Sequence, residues 1–311
     1  MVTLPDYKKI AIRNDVDRFG FSNLLADSLS FSYTPRSFCT WLHGWIWWDS
    51  VSEYDLSCNG LPYDVPIVVA KTEQKLLLNS LGYLKVYVDG LPFSYTTYTG
   101  VTRNENSLLS FIPHESDSHP VSHSLINDYL DYLVTIKESF DEVFVCIFWG
   151  GPVDKTLLDS ITIRGLKYVF GANPYDKNSL VRMRTLLDYF NFVTTPVMGS
   201  HVVYAAYCGC KVSICGSFIS TRGNDIPTNN KSQEYFDRLV EVESLDWVKK
   251  NFLFLFYNHP KEAVDCSLWA KTEIANKSLT NDELIDILGW SFNGQVKGYF
   301  RGLKNRIIRA L

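Results

Sequence analysis

Thr194-Thr195-Pro196-Val197-Met198-Gly199-Ser200-His201, continued by VVYAAYCGCKVSICG to Gly216, is the stretch that decides the fold. A β-branched run ends at Thr195, a turn with Pro and Gly follows, an apolar helical segment starts at a Gly-Ser pair, and KVSIC at 211–215 is a second strand. Two strands joined through a helix this short form a parallel pair, the repeating unit of layered α/β proteins. The start of such a helix presents backbone amides without intrahelical partners, together with the positive end of its dipole. Gly199 lets a ligand approach the backbone, and Ser200 adds a hydroxyl, so the turn suits a phosphate. An ordinary Ser cap is the plain alternative. No Gly-Lys-Ser/Thr closes the turn as in a Walker loop, and no dinucleotide fingerprint opens it.

The same alternation extends on both sides. Toward the N-terminus lie strands at 108–112, 143–149, 167–170 and 192–195, with helices at 124–140, 155–164 and 179–190 between them. Earlier still, 9–13, 38–43, 66–70 and 84–88 read as strands, with helices near 22–29 and 73–81. The polar, Gly-containing stretch 96–107 reads as a linker. The expectation is an α/β chain of two Rossmann-like lobes with a cleft between them and C-terminal helices. Residues 1–100 form the first lobe, 101–290 the second, and 291–311 a basic amphipathic helix. Beyond 217 the alternation stops. Residues 231–249 look helical, FLFLFY at 252–257 is a strand or a buried turn, and Thr280-x-x-Glu283 is a capping box for a helix ending near Gly289.

Composition narrows the class. With 311 residues, 46% hydrophobic and 21% charged, the chain is globular and long enough for two cores. A net charge of -4 argues against nucleic acid as a partner. Seven Cys without a C-x-x-C pair read as reduced, buried thiols, which places the protein in the cytoplasm. No signal-type apolar core opens the chain, and no run is long enough to span a bilayer. Lys297, Arg301, Lys304, Arg306 and Arg309 alternate with apolar residues and no acid, a pattern for contact with an anionic membrane surface. A terminal helix with a solvated basic face is the alternative.

Two further loops carry chemistry. His114-Glu115-Ser116-Asp117-Ser118-His119 follows the first strand of the second lobe, at the strand end where ligands of open α/β sheets bind. Three His lie there with His123, but not at zinc-ligand spacing, so a loop contacting phosphate or sugar is the preferred reading and no metal is expected. In Trp41-Leu42-His43-Gly44-Trp45, His43 ends a first-lobe strand and has the side chain of a general base, with Trp faces beside it for a sugar. A core His among aromatics is equally compatible.

LSFIPHES at 109–116, VCIFW at 145–149 and the 194–205 stretch through Gly199-Ser200-His201, taken in order, resemble bacterial proteins encoded with capsule and O-antigen synthesis, a group similar to GT-B glycosyltransferases. The resemblance covers about residues 60–218. It implies a glycosyltransferase that moves a sugar from a nucleotide sugar donor to a carbohydrate acceptor on a lipid carrier. The second lobe would bind the donor and the first the acceptor, without a metal or cofactor. The implied donor contacts are His114, Glu115, Ser116, His119, Trp149, Thr194, Thr195, Gly199, Ser200 and His201. At the sugar centre His43, Asp15, Asp17 or Asp117 would act, and the choice stays open. The implied location is the cytoplasm, at the inner face of the plasma membrane. The first lobe is short for this architecture, and no acidic residue follows Gly199 at the usual ribose-binding position. An epimerase or other sugar-phosphate enzyme on the same fold, and a non-catalytic scaffold, remain alternatives.

Overall fold

The computed structural model describes residues 2–113, 122–151, 154–220 and 233–300. The chain is α/β, with two Rossmann-like units that each rest on an all-parallel sheet. One unit comprises Pro5–Thr97, Pro174–Val181 and the residues from Lys271 onward; the other comprises Tyr98–Asn173 and Arg182–Ala270 with residues 2–4. The chain therefore passes from one unit to the other several times, where the sequence indicated a single linker.

The smaller sheet has three strands, β1 (Thr40–Trp41), β2 (Ile67–Val69) and β3 (Val86–Val88), in that order. Every residue of β2 is buried, as an unbroken β-branched run in the middle of a parallel sheet requires. Helix α1 (Phe21–Ser28) precedes the sheet and α2 (Thr72–Ser80) joins β2 to β3. The Gln74 side chain accepts the amides of Ala70 and Lys71, both at 3.1 Å, and so fixes the entry to α2. Trp41 lies in the core, edge-on to Phe21 at 4.9 Å, with its indole N–H on the Gly90 carbonyl at 3.0 Å.

Residues 9–13 do not form the expected strand. They make one antiparallel bridge, Lys9 with Asp176, with the Ile10 amide on the Tyr175 carbonyl at 2.9 Å. Asp176 captures the amides of Lys8 and Asn178 with its carboxylate, so KIAIR pairs with a turn rather than with β1.

The larger sheet holds β4 (Asn104–Phe111), β5 (Glu142–Ile147), β6 (Lys167–Phe170), β7 (Phe190–Thr195) and β8 (Lys211–Ile214), ordered β6-β5-β4-β7-β8. Helices α3 (His123–Ile136), α4 (Lys155–Ile163), α5 (Ser179–Tyr189) and α6 (Ser200–Tyr207) make the crossovers. One core layer packs Leu108, Val145 and Ile147 of the strands against Ile126, Leu130 and Leu133 of α3. Arg103 closes the base of the sheet, donating to the carbonyls of Leu187, Asp188, Cys208 and Gly209.

After β8 come α7 (Gln233–Val242) and α8 (Leu245–Phe252), two helices where the sequence indicated one. The Ser244 hydroxyl caps α8 and interrupts the run. The FLFLFY segment becomes a 3-10 turn over Leu253–Leu255, followed by a single parallel bridge between Phe256 and Ile214. Helix α9 (Ser267–Ile274) carried no clear sequence signal. Helix α10 (Asn281–Leu288) has the Thr280–Glu283 capping box and ends at Gly289, φ +72°. The Phe38 amide donates to the Leu288 carbonyl and the Trp290 indole to Ser37, both at 3.0 Å, which ties this end of the chain to β1. Residues 292–300 are helical; the rest of the basic segment lies outside the described residues.

Candidate functional site

In the five-stranded sheet the direction of winding reverses between β4 and β7: β4, β5 and β6 step one way, β7 and β8 the other. Neighbouring crossover helices diverge at such a point, and the carboxyl ends of the two strands open a crevice. Phe111 and Thr195 end these strands. His201, in the first turn of α6, stacks on the Phe111 ring at 4.8 Å and 24°, and its Nε2 pairs with the Thr195 hydroxyl at 2.9 Å. The Thr195 hydroxyl also lies 3.3 Å from both the amide and the carbonyl of Val197, which holds the Pro196–Gly199 turn in place.

Gly199 precedes α6 with an extended backbone, φ 172°, and offers no side chain to cap the helix. That conformation is open to any residue. A Cβ there would lie 3.0 Å from His201 Cε1 and Nδ1, so the missing side chain makes room for the imidazole. The close approach expected of a ligand is thus made first by His201. Ser200 bonds with Tyr204, whose phenol is pushed up chiefly by burial, with Ser200 opposing.

One residue deeper, Ser110, Thr194 and Ser213 pair in register across β4, β7 and β8, and all three are fully buried. The Ser110 hydroxyl lies 3.0 Å from the Tyr129 hydroxyl of α3. Burial pushes the Tyr129 phenol well above its ordinary range, against the pull of the Ser110 and Thr194 hydroxyls. Thr194 therefore belongs to a hydroxyl ladder beneath the rim, while Thr195 points to the turn. Strand alternation made the two inequivalent, but adjacent threonines do not reveal which faces which way.

Trp149 follows β5, the strand on the other side of β4. Its indole N–H donates to the Gly171 carbonyl at 3.0 Å, its ring stacks on Phe170 at 5.3 Å, and the Arg182 guanidinium lies 5.5 Å from the ring. Asn173, just past β6, donates to the Trp149 carbonyl at 3.0 Å. Arg182 and Asn173 gave no sequence signal, since one lies mid-helix and the other in a loop without a motif. His114, Glu115, Ser116, Asp117 and His119 lie outside the described residues.

The first-lobe candidates occupy the three-stranded unit. Asp15 and Asp17 sit on the 3-10 turn Asp15–Gly20, and His43 follows β1. His43 Nε2 bonds the Asp15 carbonyl, and its ring packs against Phe19 and Phe21. Burial lowers the imidazole pKa to about 4, the Asp15 carbonyl opposes this, and the charge of Arg18 adds to it. The near-neutral base read from the sequence is therefore a neutral, weakly basic ring. Trp41 and Trp45 are both buried and present no face to a sugar.

Asp17 is saturated: one oxygen accepts the Arg13 amide and Nε, the other Arg13 Nη2 and the Ser22 hydroxyl at 2.6 Å. Burial pushes its carboxyl up, but these donors outweigh burial and hold it below the usual range. That arrangement suits a structural anchor. Asp15 is half exposed, with Arg18 Nε at 3.8 Å.

Two further polar clusters follow β2 and β3. Glu273 accepts from Lys71 at 2.6 Å and from the Trp45 indole at 2.8 Å. Fully buried Asp89 accepts the Tyr95 hydroxyl and the Ser278 amide, and the Lys277 ammonium lies 4.1 Å from the Tyr95 ring. No cluster of His, Cys, Asp and Glu suited to a metal occurs among the described residues, and none of their helices is long and apolar enough to cross a membrane.

No family model matches the chain, and no curated protein matches it. Among solved structures it is similar to TarM, at 10% identity and a TM-score of 0.36 over 86% of this chain and 53% of that one. A S. aureus TarM mutant in complex with fondaparinux, alpha-GlcNAc-glycerol and UDP gives 11% and 0.34 over 90% and 53%. The pneumococcal O-GlcNAc transferase GtfA in complex with UDP and GlcNAc gives 12% and 0.32 over 75% and 45%. The chain spans about half the length of these structures.

Proposed function

We propose that the chain is a glycosyltransferase that moves a sugar from a nucleotide-activated donor to a carbohydrate acceptor. One observation carries the reading: at the winding reversal of the five-stranded sheet, the Thr195–His201–Phe111 assembly stands at the start of α6, a helix without a side-chain cap. A helix N-terminus beside an imidazole favours an anion. The anion in this reading is the phosphate of the donor, with Trp149 and Ser200 on the same rim. The glycosidic bond to phosphate breaks as the acceptor oxygen bonds the anomeric carbon, and the charge left on the phosphate is stabilised by α6 and His201.

The acceptor hydroxyl gives its proton to a protein base, for which the candidates are His43, Asp15, Asp17 and Asp117. Of these, Asp17 has its oxygens already filled and His43 is weakened as a base by burial. The acceptor in this reading is a lipid-linked glycan of bacterial surface polysaccharide. Exposed Phe292, Phe300 and Lys297 support contact of the basic C-terminal segment with an anionic membrane. Flotation with anionic liposomes, compared with a chain lacking 297–311, tests that contact; equal binding by both removes it.

The function is tested with CMP-, UDP-, GDP- and dTDP-sugars, with and without oligosaccharide acceptors. The expected result is acceptor-dependent release of nucleotide from one donor, reduced in His201→Ala. Conversion of a donor without acceptor would make the protein an epimerase. Absence of nucleotide binding by calorimetry would leave it a scaffold.

A further inference from the structure

The α3 side of the β8 edge holds a cavity of about 630 Å³ that includes none of Thr195, Gly199 or His201. It lies where the chain meets the β8 edge through a single bridge rather than a sixth strand. Phe256 bridges Ile214 once, just after the 3-10 turn that follows α8. Gly216, φ +75°, turns the chain away from β8, and the Tyr129 and Tyr132 rings lie 3.1 Å from where its Cβ would be. A side chain at 216 would close the floor of the groove.

The lining has a definite chemistry. Phe218 and Phe256 form an aromatic pair, centroids 6.2 Å apart and tilted by 41°, with Tyr132 on the α3 wall. Around them stand one cation, one anion and an amide. Lys249 Nζ lies 5.5 Å from the Phe256 ring, and Glu262 accepts the Asn258 amide at 3.2 Å. Burial, with the neighbouring Cys215 and Glu262, pushes the Tyr132 phenol well above its ordinary range, so it remains a neutral hydroxyl.

Three ligand classes fit poorly. A phosphate or carboxylate would face Glu262, a cation would face Lys249, and a purely apolar group would strip water from both charges without replacing its hydrogen bonds. A neutral pyranose satisfies every wall: its C–H face stacks on an aromatic ring, and its hydroxyls reach carboxylate, ammonium and amide. The volume falls in the range of small-ligand sites, roughly 300–1,000 Å³.

We propose that this groove binds a neutral stretch of glycan, with a pyranose ring on Phe218 or Phe256 and its hydroxyls on Lys249, Asn258 and Glu262. It would hold the growing or acceptor chain apart from the reacting sugar. Only the choice of a glycan as ligand rests on the glycosyltransferase reading.

The test is calorimetry and saturation-transfer NMR on the full chain with maltotetraose, cellotetraose and chitotetraose, alone and with saturating UDP, CMP, GDP or dTDP. Binding of at least one oligosaccharide is expected, unchanged by nucleotide and by His201→Ala. Glu262→Gln and Lys249→Met, both at exposed positions, should each weaken it by about tenfold, the worth of a hydrogen bond to a charged group. Absence of binding by all three, binding unaltered in both variants, or displacement by a nucleotide overturns the proposal. Sugar transfer without groove binding sinks the groove and spares the enzyme; groove binding without transfer does the reverse.

Discussion

The carboxyl ends of the two parallel sheets are built on opposite plans. In the three-stranded unit three carboxylates are bound from within: Asp17 by Arg13 and Ser22, Asp89 by Tyr95 and Ser278, Glu273 by Lys71 and Trp45. In the five-stranded unit the turn after β7 is held by the Thr195 hydroxyl and by the Ile219 amide on the Pro196 carbonyl, and its helix starts at a glycine with no side-chain cap. The first edge is pre-organised by charge and hydrogen bonds. The second is ordered by packing, with no side-chain cap on its helix, the feature on which the proposed phosphate site rests. Substitutions at the first should therefore register as stability, and at the second as affinity.

The largest effect is expected at Gly20. It adopts φ +78°, and a Cβ there would overlap the Lys177 carbonyl oxygen. Gly20→Val should cost about 4 kcal/mol, near the upper end for single substitutions, read from urea unfolding. A cost under about 1 kcal/mol would mean that this turn is not locked.

Next is the pH response of His43. Below its ordinary pKa of 6.5 the unfolded chain takes up a proton that the folded ring refuses until about pH 4. Stability contributed by the neutral ring is full above 6.5 and falls as the pH drops through that window, by up to about 3 kcal/mol. The slope of unfolding free energy between pH 6.5 and 4 should be shallower in His43→Gln. An identical slope would place the imidazole in solvent.

At the other edge Thr195→Val removes the hydroxyl that positions His201. The expected stability loss is about 1 kcal/mol, with a drop of about tenfold in affinity for the donor nucleotide by calorimetry. A large stability loss with unchanged affinity would erase the distinction between the edges. Gly199→Ala is the mildest in stability: the extended backbone accepts it, and the imidazole need move by only tenths of an ångström, for a cost below about 1 kcal/mol. Nucleotide affinity should still fall, because the ring sets the shape of the turn. Unchanged affinity would move the phosphate away from α6.

Much of the larger sheet was legible because its strands are buried on both faces and its helices carry their own start signals. Lys167–Phe170 and Ser200–Tyr207 fall where the pattern puts them. Residues 9–13 misled because an apolar run of strand length does not name its partner, and Asp176, far away in sequence, supplied it. The site was legible as a turn but not as an assembly. Nothing in the spacing of Phe111 and His201 says that their rings stack, nor that Asp17, two residues from Asp15, is consumed by Arg13 while Asp15 stays half exposed.

The interleaving of the chain has a consequence for how the protein is made. The turn at Gly20 closes on Lys177, and β1 is tied to Leu288 and Trp290. As the chain leaves the ribosome, the strands of the three-stranded unit emerge before either clasp: Lys177 follows β6, and Leu288 and Trp290 follow the whole five-stranded sheet. The five-stranded sheet, complete by Ile214, has its strands in hand well before then. The three-stranded unit, whose strands precede those of the five-stranded sheet in the sequence, gains its Leu288 and Trp290 contacts only after the last strand of that sheet has been translated.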